Sequence, residues 1–141
     1  MLSLVTAREL KASGLEWQPQ DGDRFTVPDS ALQDRAFVIN DMATMIERYR
    51  GSPVITFHGT PEWALDFIWL GETVWLPSEH QLREMLGERL AATGSHVYDL
   101  LYADGQFTCR FELKGERLAF VAEQADEAYA RALLHLMQQG E

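Results

Sequence analysis

The run Phe107-Thr-Cys-Arg-Phe-Glu-Leu113 alternates apolar and polar side chains without an exception. Successive side chains of a β-strand point to opposite faces, so this period of two predicts a strand with one buried and one solvent-facing side. Asp104-Gly105 precedes the run and Lys114-Gly115 follows it, and both dipeptides are typical of tight turns. With strands expected at 97–102 and 118–121, the C-terminal third is predicted to form a three-stranded antiparallel meander.

The segment after the meander carries an apolar stripe at helical spacing. Its members fall at i, i+3, i+4, i+7, i+8, i+11 and i+12: Ala125, Ala128, Tyr129, Ala132, Leu133, Leu136 and Met137. Such a stripe is one face of an amphipathic helix. A meander has an apolar face that it must bury, and this helix is its nearest cover. We therefore expect the last helix to pack on the C-terminal strands.

Two further helices are predicted by local start signals. Ser78-Glu-His-Gln81 has the pattern of a capping box, and an apolar stripe at helical spacing follows over 82–90. Thr6-Ala-Arg-Glu9 has the same pattern, and Gly14 is a stop signal shortly after it. The sequence thus predicts a middle helix and a short N-terminal helix.

The remaining apolar runs are typical of short strands, at 24–27, 36–39, 54–57 and 73–76. Residues 42–50 fit two structures, since their methionines and Ile46 suit a helical face while Thr44 and Tyr49 suit a strand. Together these elements predict an α+β fold with a mainly antiparallel sheet, a C-terminal three-stranded meander covered by the last helix, a middle helix and a short N-terminal helix. At 141 residues the chain is expected to form a single domain over 1–141.

The chain is strongly acidic, with 12 Lys plus Arg against 22 Asp plus Glu and a net charge of -10. Nucleic-acid binding rests on clustered Lys and Arg, and a negative field also repels anionic membranes, so we expect neither partner. The same field favours fast association with a basic protein, and a homodimer is also compatible with the sequence. Five aspartates crowd the N-terminal half, where we expect a solvated surface: Asp21, Asp23, Asp29, Asp34 and Asp41.

The cysteine count and the apolar runs indicate a compartment. Cys109 is the single cysteine, so an internal disulfide is impossible and a reducing cytoplasm is the simplest location. The N-terminal residues have no signal-peptide pattern. The richest apolar stretch, 64–76, contains Asp66 and Glu72 and is too short for the roughly 20 residues of a membrane span. We therefore predict a soluble, cytoplasmic protein.

The sequence contains no motif that fixes a catalytic or cofactor site. It lacks Gly-rich phosphate loops, the G-x-S-x-G elbow and a His spacing typical of zinc, so no cofactor or metal is predicted. Cys109 could serve as a nucleophile, but its place between Phe107 and Phe111 favours a buried, inert thiol. Ser78 is assigned to helix capping. His135 lies off the apolar stripe of the last helix and is expected in solvent.

The segment 57–77 is the most unusual part of the chain, because a His and two carboxylates share a Gly/Pro loop beside three tryptophans. Six residues there are candidates for binding: His58, Glu62, Trp63, Asp66, Trp69 and Trp75. A His and a carboxylate could act as base and orienter in hydrolysis, and tryptophans are frequent hot spots of interfaces. The alternative is structural: Gly59 and Pro61 shape a turn, Glu62 favours a helix N-terminus and the tryptophans fill the core.

Two stretches stand out for another reason: Glu16-Trp-Gln-Pro-Gln-Asp-Gly-Asp-Arg-Phe25 and Val74-Trp-Leu-Pro-Ser-Glu-His-Gln-Leu-Arg-Glu-Met-Leu86. With the strand–helix ending, they resemble a family of small uncharacterised proteins of bacteria and tailed phages, of which some bacterial members carry a pilus-assembly label. The likeness covers most of the chain, and its motifs are a turn, a capped helix and the strand–helix ending. The resemblance implies a non-enzymatic accessory protein and brings no catalytic residue with it.

Three functions are compatible with these patterns. The leading hypothesis is a non-catalytic protein-interaction or accessory module, phage-related or bacterial, that acts through its acidic surface and the Trp-rich segment. The second is an immunity- or antitoxin-like neutraliser of a basic protein, guided to its target by electrostatic steering. The third is a small ligand-binding protein or hydrolase with a pocket near His58 and Glu62.

Overall fold

The structure, a computed structural model, describes residues 1–28, 35–39, 44–57 and 67–139. In chain order these residues form α1 (Leu4–Ala12), β1 (Arg24–Thr26), β2 (Ala36–Val38), β3 (Thr44–Tyr49), β4 (Ser52–Phe57), β5 (Phe67–Trp69), a 3₁₀ turn (Leu70–Glu72), β6 (Val74–Leu76), α2 (Glu79–Ala92), β7 (Tyr98–Ala103), β8 (Gln106–Leu113), β9 (Glu116–Ala122) and α3 (Ala125–Gln139). The strands pair antiparallel, so the predicted α+β class is confirmed.

The chain divides into two compact units. Unit 1 comprises Met1–Leu15 and Pro77–Glu141, and unit 2 comprises Glu16–Leu76. The N-terminal helix α1 thus clusters with the C-terminal half of the chain, and unit 2 is inserted between α1 and α2. The single domain expected over 1–141 stays a prediction.

The meander of unit 1 has the strand order β7-β8-β9, with antiparallel pairing on both sides of β8. Cys109 and Phe111 of β8 are buried, whereas Arg110 and Glu112 are exposed, so the predicted alternation is confirmed. α3 packs on β8 and β9, which leaves the opposite side of the sheet to solvent. The predicted cover of the meander by the last helix is therefore also confirmed.

Both hairpins of the meander turn through two residues with positive φ. Asp104 and Gly105 have φ of 53° and 79°, and Lys114 and Gly115 have φ of 52° and 81°. Left-handed values at both central positions match the twist of the flanking strands. Glycine adopts them freely because it has no Cβ atom. The two turn dipeptides thus set the register of the whole sheet.

The long helices of unit 1 bury the stripes that their sequences predict. Leu82, Leu86 and Leu90 of α2 are at most 1% exposed, and α2 packs against α3. α3 buries more than its predicted stripe, since Ala130 and Leu134 are covered as well. The reason is that α3 contacts the sheet, α1 and α2. A helix packed on several sides buries more than the single stripe of a surface helix.

α1 begins earlier than the capping pattern predicts. Ser3 is its N-cap, and the Ser3 hydroxyl accepts the backbone N–H of Thr6 at 3.3 Å. The Thr6 hydroxyl instead donates to Glu127 Oε2 of α3 at 2.7 Å. The prediction of a Thr6 cap is wrong because a carboxylate on a distant helix takes up that hydroxyl. The predicted stop is confirmed, since α1 ends at Ala12 and Gly14 has a φ of 99°.

In its described residues unit 2 holds two three-stranded sheets, β2-β1-β6 and β3-β4-β5. One core cluster of unit 2 has four buried residues and three half-buried ones packed on them: Phe25, Val27, Ile39 and Ile55, with Trp17, Phe37 and Leu70. Val54, Val74 and Leu76 are buried in this unit as well. The ambiguous stretch 42–50 contains strand β3, because pairing with β4 decides between its two local preferences. A turn at Arg50 and Gly51, with φ of 52° and 84°, joins these strands.

Candidate binding surface on the C-terminal sheet

The structure describes only part of the Trp-rich segment. Four of its six candidate residues lie outside the described residues: His58, Glu62, Trp63 and Asp66. The predicted hydrolytic or binding pocket near His58 therefore stays a prediction. Trp69 is half-buried on β5 and pairs with Val54 across the strands.

Trp75 takes part in the packing of unit 2. Its ring stacks on Trp17, with ring centroids 6.3 Å apart and an interplanar angle of 9°, and it pairs with Phe25 across β6 and β1. The Trp75 side chain is half-buried, and its Nε1 is buried without an acceptor among the described residues. Aromatic stacking of this kind favours the structural interpretation of Trp75.

Asp23 has a structural role that the sequence did not reveal. It is only 6% exposed, and its Oδ2 accepts the Trp17 Nε1–H at 2.9 Å and the Gln20 N–H at 3.0 Å. The expected solvated surface is wrong for this residue, because two donors within six residues compensate for its burial. The turn at 20–23 thereby positions Trp17 over Phe25, with ring centroids 5.6 Å apart.

Cys109 and His135 lie against the inner side of the meander. Cys109 is fully buried, and this burial, with a smaller contribution from the charge of Asp99, raises the pKa of its thiol to about 12. Since the thiolate is the nucleophilic form, the inert thiol that the sequence predicts is supported by its environment. The expectation that His135 is solvated is wrong: it is half-buried, with its ring 5.4 Å from that of Phe120.

Two kinds of feature are not found within the described part of the chain. No three His, Cys, Asp or Glu side chains there converge as metal ligands would. No helix there combines the length and the apolar character that crossing a membrane requires.

The solvent side of the meander, here called the outer face, is formed by alternate residues of three strands. Its members lie directly opposite one another in the register: Asp99, Leu101, Thr108, Arg110, Glu112, Arg117, Ala119 and Val121. Leu101, Thr108 and Val121 form one row across the sheet, and Asp99, Arg110 and Ala119 form the next. The outer face thus joins an apolar row to a charged one.

The apolar row is unusual for the solvent side of a sheet. Leu101 is 46% exposed and Val121 is 41% exposed, and Ala119 in the next row is exposed too. Antiparallel sheets with one open side normally place polar residues there. Single exposed apolar side chains need no explanation, but Leu101, Val121 and Ala119 share one face of the sheet, with Thr108 between the first two. The sequence does not reveal this row, because Leu101 lies in a run of apolar residues with no visible alternation.

The charged row is held by one ion pair. Arg110 Nε and Nη2 donate to the two carboxylate oxygens of Asp99 at 2.8 and 2.7 Å. The hydrogen bonds from Arg110 lower the pKa of Asp99, so the carboxylate stays ionised well into acid solution. A two-point contact of this geometry fixes both side chains across β7 and β8.

A groove of about 640 Å³ lies at the end of the sheet where β7 begins. Its walls are the 93–97 loop after α2 and the β8–β9 hairpin, including Lys114 and Arg117. Val97 of that loop is 77% exposed. The outer face and this groove together offer apolar and charged contacts within one unit of the chain. No family model, curated protein or solved structure matches this chain.

Proposed function

We propose that this protein is a non-catalytic binding module, an accessory protein of the bacterial or phage-related kind, whose outer face contacts a basic partner protein. The row of Leu101 and Val121 is the observation that carries the proposal, because interfaces are built from apolar contacts surrounded by polar groups. Asp99 and Arg110 would lie at the border of that contact. This proposal moves the binding site from the Trp-rich segment to the meander, since Trp75 is engaged in packing.

The net charge supports a basic partner. At -10 the chain attracts positive proteins over a distance of about one Debye length, roughly 8–10 Å at physiological salt. The outer face itself is nearly balanced, with Asp99 and Glu112 facing Arg110 and Arg117. The electrostatic steering of the partner therefore comes from the acidic rest of the surface, and the contact itself comes from the outer face. Association should slow with added salt, whereas dissociation should respond to changes in the apolar row.

The test is capture of proteins from a lysate of the natural host by tagged Val121→Glu, with Val38→Glu as its matched control. Both valines lie on strands and are 41% exposed, and both variants add one negative charge. We expect Val121→Glu to capture at least about tenfold less of the basic partner than the unmodified protein does. The reason is that a charge buried in an apolar contact costs more than ~1.4 kcal/mol. Val38→Glu should capture as much as the unmodified protein.

Equal capture by the two variants would rule out the outer face as the contact. Capture that does not change between about 0.05 and 0.5 M salt would rule out the steering by charge. Circular dichroism spectra of both variants establish that each is folded.

A neutraliser of a basic toxin-like protein is a second candidate, supported by the same net charge. A neutraliser requires that the captured partner lose its own activity in the complex. An accessory module does not require this loss. We further propose a cytoplasmic location, which the buried free thiol of Cys109 supports because such thiols persist in a reducing compartment.

A further inference from the structure

The groove at the end of the meander is produced by a difference in strand length. Pairing of β7 with β8 begins at Tyr98 and Phe111, whereas β8 and β9 remain paired as far as Leu113 and Glu116. The β8–β9 hairpin therefore extends past the start of β7. The loop 93–97 approaches from α2 instead of continuing the strand, and a cavity of about 640 Å³ is left between them.

The cationic groups of this groove are only partly neutralised. Its lining contains Arg110, Lys114 and Arg117 against the carboxylates of Asp99 and Glu112. The Asp99 carboxylate is occupied by Arg110, while Lys114 and Arg117 form no ion pair within the described residues. The groove thus carries a surplus of positive charge in a chain whose net charge is -10. Glu112 lies opposite Arg117 in the register, so the surplus is one positive charge, and two cations without an ion pair are suited to an anion.

The nearby C-terminus of α2 does not oppose an anion as strongly as an open helix end would. The carbonyl of Leu90 accepts N–H groups from Thr93 and Ser95 at 2.9 and 3.0 Å, and the Thr93 hydroxyl at 2.6 Å. The carbonyl of Ala91 accepts the N–H of Gly94 at 3.0 Å. These donors compensate the negative end of the helix dipole.

The groove also has apolar lining. The exposed residues Val97 and Ala119 belong to it, and Val97 is the most exposed large apolar side chain among the described residues. A volume of about 640 Å³ is within the range of roughly 300–1,000 Å³ typical of small-molecule sites. We propose that the groove binds a small organic anion, a phosphate or carboxylate group carried on an apolar body. The anionic group contacts Lys114 and Arg117, and the body lies along Val97 and Ala119.

The proposal is tested by titrating the ¹⁵N-labelled full chain with phenyl phosphate and with phenylacetate, followed by amide NMR. We expect saturable shifts confined to residues 93–99 and 110–119, with phenyl phosphate binding more tightly than inorganic phosphate. The tighter of the two aromatic anions identifies whether the natural group is a phosphate or a carboxylate. Arg117→Gln should weaken binding about tenfold, the effect of losing one charge-assisted hydrogen bond.

Arg89→Gln is the matched control, because Arg89 is an exposed arginine of α2 outside the groove. It should leave the affinity unchanged. The proposal is overturned if neither aromatic anion gives saturable shifts at these residues, or if Arg89→Gln weakens binding as much as Arg117→Gln. Equal binding of benzyl alcohol would overturn the role of the cations, and equal binding of inorganic phosphate would overturn that of the apolar lining.

Discussion

Glu127 on α3 receives two hydrogen bonds from the N-terminal segment. Its Oε1 accepts the Ser3 N–H at 2.7 Å and its Oε2 accepts the Thr6 hydroxyl at 2.7 Å. Partial burial would by itself raise the pKa of this carboxyl, but the hydrogen bonds from Ser3 and Thr6 outweigh it and lower the pKa below the ordinary 4.5. We call this contact the Glu127 clasp.

The Glu127 clasp should make stability depend on pH in the acid range. Because the folded pKa is lowered, the folded state binds fewer protons than the unfolded state between the two pKa values, and acid favours unfolding. The contribution is present above pH 4.5 and is lost as pH falls through the lower, folded value. In urea unfolding between about pH 6 and pH 3, Glu127→Gln should show a flatter decline of unfolding free energy than the unmodified chain. Glu88→Gln, at an exposed site on α2, should keep the original slope.

The hydrogen-bond partners of single residues, whether distant or near in the chain, were the least predictable from the sequence. Thr6 matched a local capping pattern, yet its hydroxyl bonds a carboxylate 121 residues away. Asp23 lay among aspartates that suggested a solvated surface, and its burial depends on the ring of Trp17. A local sequence pattern shows which hydrogen bonds a side chain can form with nearby residues. It does not show which partner the side chain takes in the folded chain.

At the scale of the element, the capping box of α2 has both of its reciprocal bonds. The Gln81 N–H donates to the Ser78 hydroxyl at 3.1 Å, and the Ser78 N–H donates to Gln81 Oε1 at 2.9 Å. Ser78→Ala should lower the free energy of unfolding by about 1 kcal/mol, measured by urea denaturation. Ser78→Asp should retain most of the stability, because its carboxylate also caps a helix. Equal losses in both variants would show that the cap is not the cause.

Elements with a local signal could be predicted, and these include the short strands expected at 24–27, 36–39, 54–57 and 73–76. β3 stayed ambiguous, and β5 was not predicted. A complete local signal is present in the alternation of β8, in its two turn dipeptides, in the capping box of α2 and in the apolar stripe of α3. Strand β3 has no such signal, since 42–50 suits a helical face as well. Its pairing with β4 determines that it is a strand. The outer face was predicted only as the polar side of β8, because Leu101 of β7 and Val121 of β9 come to lie on either side of Thr108 only through the register.

At the scale of the whole molecule, the division into two units predicts that destabilising one unit accelerates hydrogen exchange in that unit alone. Leu133 of α3 is fully buried in unit 1, and Leu133→Ala should cost about 2–5 kcal/mol. Hydrogen exchange should then accelerate in Met1–Leu15 and Pro77–Glu141 and stay unchanged in the described parts of Glu16–Leu76. Ile55→Ala, in the core of unit 2, should give the reverse pattern. Acceleration throughout the chain in both variants would mean that the units unfold together as one domain.

The Glu127 clasp also sets an order of events during synthesis. α1 is synthesised well before α3, and the carboxylate that holds it follows 121 to 124 residues later. At roughly 5–20 residues per second, α1 waits on the order of ten seconds for its partner. Throughout that interval Leu10, which the finished protein buries, has no α3 to pack against. α1 is therefore made early and reaches its final place only once α3 has been made.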